Sequence, residues 1–215
     1  MAYYIHYSNP RSDEIEAFLN IIPKCPGTCI FIDIVNSTNI KYTTDFGDWG
    51  RKLNNTFNFI SILNEFPSHI VKGIGDEIML YIPDEDLAIR KHCNNYFALL
   101  EELYATLYNI KNFPVEGLFL QCKVAIHYCE DVYNITFLED YNDYYGKDID
   151  LSARLMSKAR PNRIIVSAKY HSKILQALKK LGLPEDAGCL DKLSGKYVED
   201  FKGVPTSTEF HVIDV

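Results

Sequence analysis

Short apolar runs broken by polar turns alternate along this chain with longer stretches of helical periodicity. A stripe of Ile15, Phe18, Leu19 and Ile22, opened by Ser12-Asp13-Glu14 and closed by Pro23, predicts an N-terminal amphipathic helix. A strand follows over about 28–34, then a helix over about 48–65 with Leu53, Phe57, Ile60 and Leu63 on one side. Two apolar runs, Ile70-Val71 and residues 78–82, flank a glycine-containing connection and read as a hairpin. Residues 85–110 place Leu87, Cys93, Phe97, Leu100 and Leu103 at near-helical spacing and predict one long helix. Then come a strand over 118–127, a helix over 146–159, a strand over 163–167, a helix over 168–181, and a hairpin of 197–201 with 209–213. Residues 128–145 are polar and aromatic and too long for a tight turn, and loops of that length are often functional.

The order strand, helix, hairpin, helix, strand, followed by more helices and strands, predicts an α+β fold. It matches a ferredoxin-like βαββαβ core with added helices and a C-terminal hairpin. Residues 1–27 read as a helical extension and 28–215 as one domain, since 215 residues of 47% hydrophobic content carry no long linker or repeat. Such a core alone says little about function.

Charge and composition narrow the partners. A formal net charge of -7 argues against nucleic acid, whose phosphate backbone needs a basic surface. No run approaches the ~20 apolar residues of a membrane span. The start Met1-Ala2-Tyr3-Tyr4-Ile5-His6 lacks the basic lead and apolar core of a signal peptide, so a cytosolic location is expected. There the cysteines at 25, 29, 93, 122, 129 and 189 are expected as reduced, structural thiols. Cys25 and Cys29 have no matching Cys/His pair at ligand spacing.

Two acidic turns carry the candidate chemistry. Asp33 closes the apolar run 29–32, and Asp76 follows Gly75 in the connection of the predicted hairpin. If the first strand lies beside that hairpin, the two carboxylates become neighbours, which is costly unless a cation lies between them. Hard oxygen donors favour Mg²⁺ or Mn²⁺, and Mg²⁺ is usually held by one or two carboxylates plus substrate phosphates. Asn36, Ser37 and Thr38 stand where a helix should begin, and its free backbone N–H groups attract anions. The same three residues serve equally as an ordinary helix cap.

Four blocks in order resemble the catalytic domain of class III nucleotide cyclases, the adenylate and guanylate cyclases. They are Phe31-Ile32-Asp33-Ile34-Val35-Asn36-Ser37-Thr38, Lys72-Gly73-Ile74-Gly75-Asp76, the stretch from Asp143 through Gly146 and Asp150 to Arg154, and Phe201-Lys202-Gly203. The likeness spans about residues 28–214. It implies a phosphorus-oxygen lyase with two Mg²⁺ or Mn²⁺ ions per active site, held by Asp33, Asp76 and the Ile34 carbonyl. It also implies that Lys202 binds the phosphates of a nucleoside triphosphate, beside the anion-attracting turn at Asn36, Ser37 and Thr38, and that Arg154 stabilises the transition state. Where the family commonly has an asparagine that positions the ribose, this chain has Asp150, an acceptor only when ionised. The likeness further implies a head-to-tail homodimer with two interfacial sites.

Lys72 and Asp143 fall on the pair that reads the base in adenylate cyclases, which disfavours guanine. A lysine donor with a carboxylate acceptor matches adenine, cytosine or uracil, so pocket size decides. Tyr42, Phe46 and Trp49 could fill the space a pyrimidine leaves in a purine pocket, or simply pack in the interior. A cyclase domain with aromatics after the first aspartate also resembles the pyrimidine cyclases of bacterial anti-phage defence. UTP to cyclic UMP, a second messenger, is the favoured expectation. ATP to cyclic AMP is the alternative, and a degenerate nucleotide-binding domain is a third. A diguanylate cyclase fits less well, because that family lacks the block from 146 to 154.

Overall fold

The computed structural model describes residues 3–4, 12–63, 67–113, 115–138 and 141–215. A seven-stranded sheet forms its centre, with strands β2 (Gly27–Ile34), β3 (Ile70–Ile74), β4 (Glu77–Pro83), β5 (Cys122–Cys129), β7 (Arg163–Ser167), β8 (Leu193–Glu199) and β9 (Thr208–Asp214). Their order is β3-β4-β2-β5-β7-β9-β8. The first four strands pair antiparallel throughout, which is the ferredoxin-like arrangement, and β5 pairs parallel with β7 before the antiparallel β9 and β8. The expected α+β core with a C-terminal hairpin is therefore what forms.

Residue alternation divides the sheet into two faces. Ile30, Ile32, Val124 and Ile126 join helices α3 (Phe46–Leu63), α5 (Tyr96–Lys111) and α7 (Ala168–Leu181) in the larger core. Phe31, Met79, Ala125 and Ile165 face the other way, into a smaller core closed by Leu155 and Met156 of α6 (Lys147–Met156). Asp33 continues the Phe31 row, so it opens on the smaller-core face just beyond the apolar cover.

Several boundaries differ from expectation. The helix expected over 85–110 is two, α4 (Asp84–Ile89) and α5, because the backbone turns extended at Arg90 and Asn95 caps a fresh start by accepting from Ala98 N at 3.0 Å. A short α2 (Ser37–Thr43) precedes α3, which is described to Leu63; the expected residues 64–65 lie outside the described ones. β5 begins at Cys122 rather than 118, because the Thr56 hydroxyl of α3 takes the Leu120 N–H at 2.9 Å and holds the approach away from the ladder. β8 runs Leu193–Glu199 rather than 197–201, and a turn at residues 202–203 follows it. Within 128–145, β6 (Ile135–Thr136) pairs parallel with β1 (Tyr3–Tyr4), which lies before α1 (Ser12–Ile21).

Candidate active site

The hairpin turn between β3 and β4 is two residues, Gly75 and Asp76, with Ile74 paired to Glu77. Gly75 holds φ +68, which suits glycine and lets the chain reverse so tightly. Glu77 lies directly across from Asp33, and Lys123 of β5 lies across on the other side. One row therefore reads Glu77, Asp33, Lys123 over three strands. Opposed like charges are unfavourable, and Lys123 relieves them with an ammonium 2.9 Å from Asp33. Burial, then the Asp33 charge, push the Glu77 carboxyl above its ordinary range, against Lys123.

Asp76 has its own cation, Lys41 of α2, at 3.3 Å. Burial would raise its pKa, but hydrogen bonds from Ser37 and Lys41 outweigh that and hold the carboxyl below the usual range. Asp33 and Asp76 thus end at one edge of the sheet face, as the strand pairing required, each neutralised by a lysine. Pairs this exposed contribute about 0.2–1 kcal/mol, so a divalent ion can displace either lysine. Asn36, at the start of α2, is left-handed (φ 58) and its side chain caps nothing, so the plain capping role fails for it. Thr38 is exposed beside it.

Tyr42 and Phe46 are 88% and 76% exposed, so they are not interior packing. Phe46 meets Trp49 edge-on at 5.1 Å, and the Lys41 ammonium lies 5.6 Å from the Trp49 ring. The aromatic group therefore adjoins the Asp76 turn through Lys41.

A second group forms around Lys72. Its ammonium reaches both oxygens of Asp143, at 2.7 and 2.9 Å, although the residues are far apart in sequence. Lys72 also lies 5.6 Å from the Tyr145 ring. Register sets Lys72 opposite Met79, on the same sheet face as Asp33. A cleft of about 1200 Å³ opens beside this pair, walled by Ile70, Val71, Tyr81, Asn142 and Tyr144. The acidic turns lie outside it.

Helix α6 bears Asp150 and Arg154, and its start is tightly fixed. Any side chain on Gly146 would meet the Asp131 carbonyl at 2.1 Å. In the first turn of α6, Asp148 is buried and accepts from Glu130 N and Asp131 N at 2.8 and 2.9 Å, with His127 Nε2 at 3.5 Å and Lys169 at 3.4 Å. Burial alone would raise the Asp148 pKa; His127 and the two backbone N–H groups overcome it and hold the carboxyl well down. This carboxylate stabilises the fold fully above its unfolded pKa of about 3.9, and the contribution is lost only as pH falls towards the depressed folded value. Asp148→Ala, which leaves buried donors unpaired, is expected to cost about 3–5 kcal/mol in urea unfolding near neutral pH.

Asp150 is exposed, and Arg154 is half-buried, with Nη2 3.7 Å from where a Gly203 side chain would begin. Buried Phe201 anchors that turn, and Lys202 beside it is exposed. Among the described residues, Arg154 and Lys202 form no ion pair, and none joins them to the acidic turns. Lys123, Glu77 and Lys41 escaped the sequence reading. Lys123 alone left a trace, as a lone charge in an apolar strand.

The model of the Adenylate and Guanylate cyclase catalytic domain matches residues 24–184. This chain belongs to the adenylate and guanylate cyclase family. Solved cyclases share its fold at low sequence identity. The guanylyl cyclase Cya2 superposes with a TM-score of 0.67 at 16% identity, covering 89% of this chain and 93% of that one. The adenylyl cyclase CyaB from P. aeruginosa gives 0.62 at 18%, covering 89% and 94%. A rhodopsin-guanylyl cyclase core of converted specificity, in complex with ATPalphaS, gives 0.61 at 17%, covering 89% and 96%. No curated protein matches significantly. Cyclases of this family use divalent metals and bind nucleoside triphosphates. Among the described residues, no helix is long and apolar enough to cross a membrane.

Proposed function

We propose that this chain converts a nucleoside triphosphate to its 3′,5′-cyclic monophosphate and pyrophosphate, in a head-to-tail homodimer with two shared sites. The observation that carries this reading is the separation of charge on one sheet face. The acidic turns offer oxygens already neutralised by lysines, while Arg154 and Lys202 lie elsewhere and, among the described residues, form no ion pair. A second copy brings the two halves together.

The donor set fits Mg²⁺ or Mn²⁺: Asp33, Asp76 and the Ile34 carbonyl are hard oxygen ligands at one sheet edge. Among the described residues, no three acidic, His or Cys side chains converge as a self-sufficient cage, which suits ions completed by substrate phosphates. When bound, two ions would lower the pKa of the ribose 3′-hydroxyl and neutralise charge on the leaving pyrophosphate. The 3′-oxygen then bonds to the α-phosphorus as the α–β bridge breaks, and the hydroxyl proton leaves to solvent.

The chain's own groups do the rest. Lys123 and Lys41, released from their aspartates, become donors beside the phosphates. The free N–H groups opening α2, with Ser37 and Thr38, face the same anion. From the other subunit, Arg154 stabilises charge on the phosphoryl oxygens and Lys202 binds the triphosphate. Asp150 accepts from a ribose hydroxyl. Catalysis occupies residues 28–215, with 1–27 as an extension.

For the base, the reading is uracil. Lys72 donates to O4 and Asp143 accepts from the ring N–H, while Trp49 and its exposed neighbours from the metal-bearing subunit fill the space a purine would need. Adenine is the second reading, because the same pair suits its ring nitrogen and amino group. The proposed role of the product, in keeping with the resemblance to defence cyclases, is that of a second messenger in antiviral defence. Trp49→Ala is expected to shift the UTP-to-ATP ratio of kcat/KM towards ATP by about tenfold, the scale of lost apolar contact in a pocket. Parallel steady-state assays with the two nucleotides check this, and an unchanged ratio removes Trp49 from base selection.

A further inference from the structure

Residues 130–138 and 141–146 form a pair of limbs. Tyr133 and Tyr145 exchange two backbone hydrogen bonds, at 2.8 and 3.0 Å, and the Asn134 amide donates to Asn142 at 3.0 Å. Asp143 and Tyr144 sit between those rungs, so the first limb sets the place of the second. That first limb is gripped from outside by the N-terminal extension at four points.

Strand β1 adds to β6, with Tyr3 N donating to Asn134 O at 3.0 Å. Cys25 N donates to Val132 O at 2.8 Å, and Lys24 pairs with Asp131 at 2.8 Å. Ile22 and Ile135, each 6% exposed, pack with Phe18 and Tyr133 in a small cluster separate from both main cores. Tyr3, Tyr4, Lys24 and Cys25 also wall the cleft beside the Lys72–Asp143 pair. The described parts of the extension therefore lie against the limb and cleft that serve Asp143.

We propose that the N-terminal extension is a positioning element for nucleotide recognition, holding the first limb so that Asp143 and Tyr145 meet Lys72. This rests on the reading of Lys72 and Asp143 as the base-binding pair. Loosening the extension displaces that pair and weakens nucleotide binding. The metal ligands on β2 and the β3–β4 turn stay in place.

The test is the 215-residue chain carrying Ile22→Asp, compared with Ile22→Leu and with Ile21→Asp, a control at the neighbouring last residue of α1, which is 76% exposed. Ile22→Asp is expected to raise KM for the preferred nucleotide about tenfold with kcat within about twofold, a change in binding rather than in chemistry. Ile22→Leu and Ile21→Asp should match the parent. An unchanged KM in folded Ile22→Asp protein, or kcat and melting temperature falling together at constant KM, overturns the proposal. If Ile22→Asp does not fold, Lys24→Ala is measured in its place, with a smaller rise in KM expected and no rise counting against the proposal. Lys72→Ala separates the two levels: an unchanged KM there refutes the base-binding pair itself. A raised KM there with an unchanged one in Ile22→Asp refutes only the role of the extension.

Discussion

Asp76→Ala is expected to lose about a thousandfold or more in cyclase activity, the scale at which preorganised charge stabilisation fails, while the protein stays folded. Activity and stability separate here for a local reason. Asp76 sits in a two-residue turn, and its partners are a partly exposed lysine 3.3 Å away and the Ser37 hydroxyl. Removing it deletes interactions worth about 1 kcal/mol, which moves the melting temperature of a domain this size by a few degrees. Product formation measured beside thermal melting checks both halves. An Asp76→Ala enzyme as active as an active parent contradicts the metal assignment, whereas a parent without activity supports a degenerate domain.

Mixing two dead variants tests the shared site. Asp76→Ala removes the metal half and Arg154→Ala removes the transition-state half, so homodimers of either are expected to be inactive. In mixed dimers one site collects both defects and the other collects none. Random pairing of equal amounts should restore about one quarter of parental activity, since half the dimers are mixed and each carries one intact site. Mixtures as inactive as their components show that each chain builds its site alone or that exchange fails. Separating differently tagged dimers distinguishes those outcomes.

Much of the fold was legible because its local signals are strong. The apolar run of β2, the glycine-bearing β3–β4 turn and the stripe of α3 each specify one element, and their order left few topologies. The misplaced boundaries share a cause. The break at Arg90 depends on the Asn95 cap, and the delayed start of β5 depends on Thr56 reaching Leu120, a contact 64 residues apart in sequence. Spacing within one segment does not contain such contacts.

The site divides in the same way. Asp33 and Asp76 stood out at turns, and their convergence followed once β2 was placed beside β4. Lys72 and Asp143 were joined by resemblance and prove to be in contact at 2.7 Å. Lys41 had no signature, because its pairing to Asp76 is created by the packing of α2 against the hairpin. Asp148 lay unremarked inside a motif read for Asp150 and Arg154, yet it fixes the first turn of the helix that bears both.

The most direct measurement is product identification. The purified 215-residue protein is incubated with UTP, ATP, CTP or GTP and Mn²⁺, and the products are resolved by mass and by comparison with authentic cyclic nucleotides. The expected result is 3′,5′-cyclic UMP with an equal amount of pyrophosphate. Cyclic AMP without cyclic UMP contradicts the base assignment, and no cyclic nucleotide from any of the four contradicts the proposed activity.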